Sequence, residues 1–367
     1  MSQSATRLPR CPMHSRRHAG AVMLTLWLVL GLAVAGSTGA AVVGRVAAQF
    51  GVDASGGSTY VVPIGVAAGR GGMRPDISLR YASHDADGLA GVGFTVAGLS
   101  RITRCPRSIA VDGRTQGVRF GTDDRYCLDG QPLVLIGGTY GADGAEYRTE
   151  VNNMQRVISR GRQGSGPASF DVLHPDGLTW RYGNDADSRL EAPGTPGEVR
   201  EWAINQVSDK FGNHITYAWI EYQATGEALP GEIRWTGDAS GATARFRLAF
   251  SYEMRPLADQ RQMHRWGSSV QRLQRLREIR YEVSSGSNFG LVHRYTLRYE
   301  AEAEGTTGRS RLAAITQCGP TECLPPTTFA WRQGSRGFEA AVAGPTDALA
   351  GQAVIADHDG DGDADLY

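Results

Sequence analysis

Five aspartates alternate along one short stretch, at Asp357, Asp359, Asp361, Asp363 and Asp365, interleaved with Gly360 and Gly362. Ca²⁺ is a hard cation that takes six to eight oxygens at roughly 2.3–2.6 Å, and a tight loop offers them from alternating positions. Counted from Asp357, the side chains of Asp357, Asp359, Asp361 and Asp365 and the backbone carbonyl of Asp363 fall at those positions. Gly362 stands where such a loop turns sharply with positive φ, a conformation that costs glycine little. A helical calcium hand would require a bidentate Glu further on and a following helix. The sequence instead reads Leu366-Tyr367 after the last aspartate, which favours a loop that hands directly into a strand. The competing reading is a solvated acidic turn.

Ala353-Val354-Ile355 before the loop and Leu366-Tyr367 after it read as short apolar strands. The pattern DxDxDGxxDL, carried by Asp357, Asp359, Asp361, Gly362, Asp365 and Leu366, resembles the calcium loop of FG-GAP or VCBS repeats. The resemblance implies that residues 350–367 begin the first blade of a β-propeller. Repeats of this kind bury their apolar faces against neighbours, about three units being the minimum, so the chain reads as a truncated piece of a longer array.

At the other end, Arg7, Arg10, Arg16 and Arg17 precede an apolar run from Ala21 to Ala35, and small residues follow through Ala41. A basic segment, an apolar core and a small-residue exit make a secretory signal peptide over residues 1–40. The run is shorter than the roughly 18–20 residues that span a bilayer, which argues against a retained anchor. The expected localisation is secretion through the periplasm, with no stable membrane insertion after cleavage. Cleavage after Ala35, Ala40 or Ala48 fits equally well.

Loss of Cys11 with the signal leaves Cys105, Cys127, Cys318 and Cys323. An even number in an exported chain favours disulfides, and four cysteines allow three pairings. The local pairing, Cys105 with Cys127 and Cys318 with Cys323, closes the shortest loops and loses the least entropy. Zinc is the rival, but neither pair has CxxC spacing and no His-x₃₋₅-His accompanies them.

The 38 basic and 38 acidic residues cancel, so no net field draws the chain to nucleic acid or an anionic membrane. Its 48 glycines have no collagen-like period. Interleaved with short runs of Val, Thr, Tyr and Trp, they indicate many turns between many strands. The fold class is therefore all-β, with short antiparallel strands in a sandwich or barrel. Residues 41–58 read as a Gly/Ser-rich linker and 59–335 as the main β domain.

Tyr60–Val66 reads as a strand, and Ile77–Tyr81 follows with strict alternation. Phe170–His174 and Leu178–Tyr182 flank Pro175-Asp176-Gly177, whose composition sets a hairpin turn. Leu291, His293, Tyr295, Leu297 and Tyr299 share one face of a half-buried strand. From Val270 to Ile279 the signal is ambiguous, because Leu273, Leu276 and Ile279 recur every third residue; helix and strand both remain open there.

A family resemblance rests on three segments near the start: Ser58–Ile64, Pro75–Tyr81, and the glycine-rich run Gly88-Leu89-Ala90-Gly91-Val92-Gly93-Phe94 continuing to Cys105. These look like the opening of the SpvB-type N-terminal domain, which begins the B subunits of insecticidal toxin complexes and many secreted RHS (YD-repeat) proteins. Asp209-Lys210-Phe211-Gly212-Asn213 with Tyr217 is similar to a YD-type unit, and Cys323-Leu324-Pro325-Pro326-Thr327 extends the likeness. The resemblance implies a non-enzymatic scaffold and assembly module for toxin encapsulation and delivery, with an RHS shell, a propeller and a translocation-channel subunit as protein partners.

The residues themselves offer no catalytic constellation. GxxxxGK[ST], HExxH and GxSxG are missing, and Gly91, Gly93 and Gly98 miss the dinucleotide spacing. Glu300-Ala301-Glu302-Ala303-Glu304 imitates the ExE of ADP-ribosyltransferases, yet it follows an alternating strand and leads into Gly305, so it reads as an acidic turn. His174 and His293 sit in strands and read as packing residues. The alternative function is an extracellular surface- or glycan-binding module that exposes Trp180, Trp202, Trp219 or Trp235 on a sheet.

Overall fold

Short aromatic and β-branched runs separated by glycine turns fold here into antiparallel strands almost throughout. The computed structural model describes residues 44–286, 288–301 and 307–332, with the backbone of 355–356 and 365–366. The first four strands, β1 (Gln49–Val52), β2 (Ser58–Pro63), β3 (Ser78–Ala82) and β4 (Phe94–Ala97), form an antiparallel meander. Its first strand lies inside the stretch that composition assigns to a linker. Asp53 explains why: its Oδ1 accepts the Ser55 and Gly57 amides and closes a tight hairpin between β1 and β2.

A closed barrel follows. Its strands are β5 (Arg101–Cys105), β6 (Arg125–Leu128), β7 (Gln131–Gly137), β8 (Glu146–Thr149), β9 (Arg156–Arg160), β10 (Ser169–Leu173) and β11 (Thr179–Tyr182), and one more beyond β12 (Arg189–Ala192). That last strand, β13 (Thr195–Ser208), pairs with β11 on one side and β5 on the other and closes a ring of eight. One short helix, α1 (Ile109–Asp112), interrupts the β5–β6 connection, capped by the Ser108 hydroxyl on the Val111 amide. The hairpin expected at Pro175-Asp176-Gly177 joins β10 to β11 in the anticipated register, Phe170 opposite Tyr182 and Leu173 opposite Thr179.

Eight strands leave an interior just wide enough for side chains. Here it is filled by Tyr126, Tyr147, Phe170 and Trp202, whose rings meet mostly edge to face at centroid distances of 5.1 to 6.5 Å. Arg104 is buried beside them. Its guanidinium donates to Asp124 Oδ2 at 2.9 Å, Ser165 Oγ at 3.0 Å and the Val199 carbonyl at 2.6 Å.

The chain then runs from β13 into β14 (His214–Tyr222), β15 (Glu227–Gly237) and β16 (Phe246–Met254), makes a separate hairpin of β17 (Arg261–Arg265) and β18 (Ser268–Arg272), and returns through β19 (Gln274–Ser284), β20 (Phe289–Tyr299), β21 (Leu312–Cys318) and β22 (Thr327–Thr328). Residues 270–279, ambiguous in sequence, are strand on both sides of Leu273, which joins β18 to β19. A register shift opposite Ser251 and Tyr252 pairs them with Glu278 and Leu276, leaving Arg277 as an extra, exposed residue. That bulge places Leu276 and Ile279 on the buried side three residues apart and so mimics helical spacing.

The first meander lies against this large sheet. Trp235 Nε1 donates to the Ala67 carbonyl at 3.0 Å, and the Tyr295 and Tyr281 hydroxyls accept the Gly65 and Ala67 amides. Two glycines of the family-like segment have backbone reasons to be glycine. A Cβ on Gly98, at φ +93°, would stand 1.9 Å from the Asp76 carbonyl oxygen, and one on Gly91, at φ +95°, 2.4 Å from that of Ser310.

Arg104 generates a test. Removing one member of a buried ion pair costs about 3–5 kcal/mol, because the other is left charged and dry. Arg104→Met should lower stability by about that amount in denaturant titrations, and Arg104→Met with Asp124→Leu should recover part of the loss.

Candidate functional site

The residues singled out by sequence divide into four groups. The cysteines meet in pairs: Cys105 bonds Cys127 across neighbouring strands β5 and β6, with Cα atoms 5.9 Å apart, and Cys318 bonds Cys323 around the turn that leads from β21 to β22. Of the aspartate loop, Asp357, Asp359, Asp361 and Asp363 lie outside the described residues. Asp365 is described by its backbone, in a strand pair of β23 (Ile355–Ala356) and β24 (Asp365–Leu366) that holds Ala356 opposite Asp365. Among the described residues no group of three or more His, Cys, Asp or Glu is placed to hold a metal.

The tryptophans require a correction. Trp202, Trp219 and Trp235 do not present their rings on a sheet surface; all three are buried, and each indole N–H donates to a carbonyl, of Pro167, Ile204 and Ala67 respectively. Indole is the largest apolar side chain, and burial with its one donor satisfied is its most favourable placement. Trp180 is half-buried and stacked on His174 at 4.5 Å. Of the acidic triplet, Glu300 lies with its carboxylate 2.6 Å from Arg311 Nε, and Glu302 and Glu304 fall outside the described residues.

A cleft that no sequence motif announces lies where the barrel, the large sheet and the β3–β4 loop meet, and it encloses about 380 Å³. The loop forms one wall and is pinned by its neighbours. Leu276 donates its amide to the Leu89 carbonyl, Val92 to Ser310, and Arg255 and Arg272 hold the carbonyls of Gly88 and Asp87. The β17–β18 hairpin forms the opposite wall. Its turn is Trp266-Gly267, with φ of +48° and +79°, the two positive values that a two-residue hairpin turn prefers. A bulky residue there is strained by about 1 kcal/mol or more. Trp266 remains because its ring lies over Arg200, with the guanidinium carbon 5.6 Å from the ring centre.

Four arginines line this cleft. Arg101 donates to Glu201 at 2.7 Å. Arg200 is almost wholly buried and donates to the carbonyls of Glu191 and Gly226, and burial holds its guanidinium below the usual value. Arg272 is pushed down to about 10, by burial first and then by the charges of Arg265 and Arg255. Arg265 is exposed and touches the Trp266 ring at 5.8 Å. Four carboxylates line the same space, but Asp85 and Asp87 are engaged by Arg80 and Arg309, which are not among the lining residues. Glu201 serves Arg101 and Arg200, and Glu227 accepts the Leu273 and Gln274 amides, its carboxyl raised by burial. Among the described residues neither Arg265 nor Arg272 is ion-paired.

The family described as "Salmonella virulence plasmid 65kDa B protein" (SpvB) matches residues 52–110 and 140–255. Those two segments of the chain are similar to the SpvB family. Its fold is similar to that of a crystal structure of TcdB2-TccC3, with a TM-score of 0.64 at 16% identity over 79% of this chain and 17% of that one. The Photorhabdus luminescens Tc holotoxin pore gives 0.61 at 16% identity over the same shares. The N-terminal domain of effector protein SpvB from Salmonella typhimurium strain LT2 gives 0.57 at 18% identity, over 71% of this chain and 98% of that domain. No curated protein matches the chain. The SpvB match includes the β3–β4 loop, Arg101, Arg200 and Glu201, and it stops before the β17–β18 hairpin. Most of the cleft lining therefore lies within the matched segments, and the hairpin wall lies beyond them.

Two half-buried histidines, His174 and His293, supply a pH test. Burial lowers the pKa of His174, packed on Trp180, and of His293, packed between Tyr281 and Tyr295. Their folded values lie below the unfolded value near 6.5, so as pH falls the unfolded chain takes up protons first. Stability should therefore decline from about pH 7 towards pH 5, and His293→Gln should flatten that decline in thermal melts followed across the range.

Proposed function

We propose that this chain is the non-enzymatic scaffold and assembly module at the start of a secreted, toxin-complex-like RHS protein. The observation that carries the reading is the likeness to TcdB2-TccC3 over 79% of the chain together with the SpvB match. The barrel supports it from within, since aromatic rings and a hydrogen-bonded arginine fill the space that ligand-carrying barrels of this size leave open. Partners in this reading are an RHS shell, a propeller that continues the chain and a translocation-channel subunit. Two disulfides in a chain with a secretory-type leader fit delivery through an oxidising compartment. Among the described residues no helix is long and apolar enough to cross a membrane.

Co-expression with an RHS-repeat polypeptide of the source organism should give one co-purifying particle that shields an enclosed segment from trypsin. Purified protein should transfer no labelled ADP-ribose from NAD. A chain that stays alone with every such polypeptide, or a transfer that disappears in Glu302→Ala or Glu304→Ala, overturns the reading.

Calcium belongs to the same proposal. The β23–β24 pairing, with Ala356 opposite Asp365, brings together the two ends of the aspartate-rich stretch, which supports the reading. The ion would neutralise the mutual repulsion of those carboxylates and order the loop. Calorimetric titration should show calcium heat that Asp359→Ala or Asp361→Ala removes. Asp363→Ala should weaken it less, since its carbonyl survives the substitution.

A further inference from the structure

We propose that the cleft between the β3–β4 loop and the β17–β18 hairpin is a binding site for an acidic peptide segment, whose carboxylates are received by Arg265 and Arg272. The inference stands on the cleft alone and does not depend on the scaffold reading.

Two guanidiniums in one cavity repel each other; Glu201 acts on Arg265 and Asp87 and Glu227 act on Arg272 only through space, and neither arginine makes a direct ion pair among the described residues. Arg272 spends one donor on the Asp87 carbonyl and Arg265 offers its planar face to Trp266. Each keeps N–H donors for a guest, and a guanidinium grips a carboxylate with two parallel bonds. The other two arginines are already engaged, Arg101 by Glu201 and Arg200 by two carbonyls and Glu201, so the surplus of positive charge is localised on the hairpin side.

The rest of the lining decides what kind of anion fits. Glu201 and Glu227 stand in the same cleft, and their charge disfavours a doubly charged phosphate more than a singly charged carboxylate. Leu89, Leu229, Pro230, Met263 and Val270 give it an apolar strip that a sugar-phosphate backbone could not use. A peptide that alternates acidic and apolar side chains satisfies both. The cavity volume lies within the roughly 300–1,000 Å³ of ligand clefts and suits two or three side chains rather than a folded surface. The strained Trp266 turn is the second mark of a site, since a backbone held in an unfavourable conformation needs its surroundings to fix it, and it sets Arg265 at the rim.

The test uses the full chain and a fluorescein-labelled, end-capped peptide, Gly-Glu-Leu-Glu-Leu-Glu-Gly, followed by fluorescence anisotropy. Saturable binding is expected, weakened about tenfold by Arg265→Gln and by Arg272→Gln, and weakened about as much when the peptide's Glu residues become Gln. Arg265 is exposed and unpaired, so Arg265→Gln should keep the melting temperature of the parent and separates lost binding from lost folding. Inorganic phosphate at millimolar concentration should not displace the peptide. The proposal falls if the peptide fails to saturate, if both arginine variants bind it unchanged, or if phosphate competes as well as a free acidic peptide.

Discussion

Strand β13 has four partners, and that arrangement decides where the other layers go. Over residues 201–203 it lies between β5 and β12; over 206–208 it lies between β11 and β14. Exchanging neighbours on both edges within one strand closes the barrel and opens the large sheet from the same backbone. Both faces are covered in the middle, so the run from Val199 to Asn205 is buried without interruption. Trp202 and Ile204 join the core there, and Arg200 and Glu201 line the cleft. The cleft is thus a consequence of the junction: it is the space left where a closed ring and an open sheet share a strand.

This explains which parts of the molecule could be read in the sequence. Strands with one wet face announced themselves. β3, β10, β11 and β20 alternate, and Pro175-Asp176-Gly177 marks its own turn. β13 carries Arg200 and Glu201 inside a buried run, so neither alternation nor a plain apolar stretch betrays it. Arg277 hides the period of β19 by bulging, and Asp53 turns an apparent linker into a hairpin through hydrogen bonds that composition does not weigh. Which strand closes on which is set by non-local pairing, and eight strands joined by short turns look the same in sequence whether their sheet is open or closed.

The site was less legible for a related reason. Its arginines come from β5, β13, β17 and β18, separated by as much as 171 positions, Arg101 to Arg272, and no spacing rule joins them. The signal that was present lay in glycine. Gly88, Gly91 and Gly93 miss the phosphate-binding pattern but still mark a backbone that neighbours must approach closely, and the Ser310 carbonyl and the Arg255 side chain do approach it. The glycine-rich run is a pinned wall of the cleft rather than a cradle for a nucleotide.

Chemistry at the surface follows from what the interior has already taken. The barrel spends its aromatic side chains on its own filling, and three of the tryptophans spend their single donors on backbone carbonyls. At a charged surface guanidinium is the effective recognition group, because it pairs bidentately with carboxylates and stacks on rings. The arginines of this chain show both uses in one place. Arg200 stacks under Trp266 and is exhausted by its carbonyls, whereas Arg265 stacks on the same ring and retains its donors. One indole thus contacts both a structural cation and a second one that lines the cleft. The hairpin that carries it lies beyond the residues matched by the SpvB family, on a loop-borne wall of the cleft rather than in the barrel.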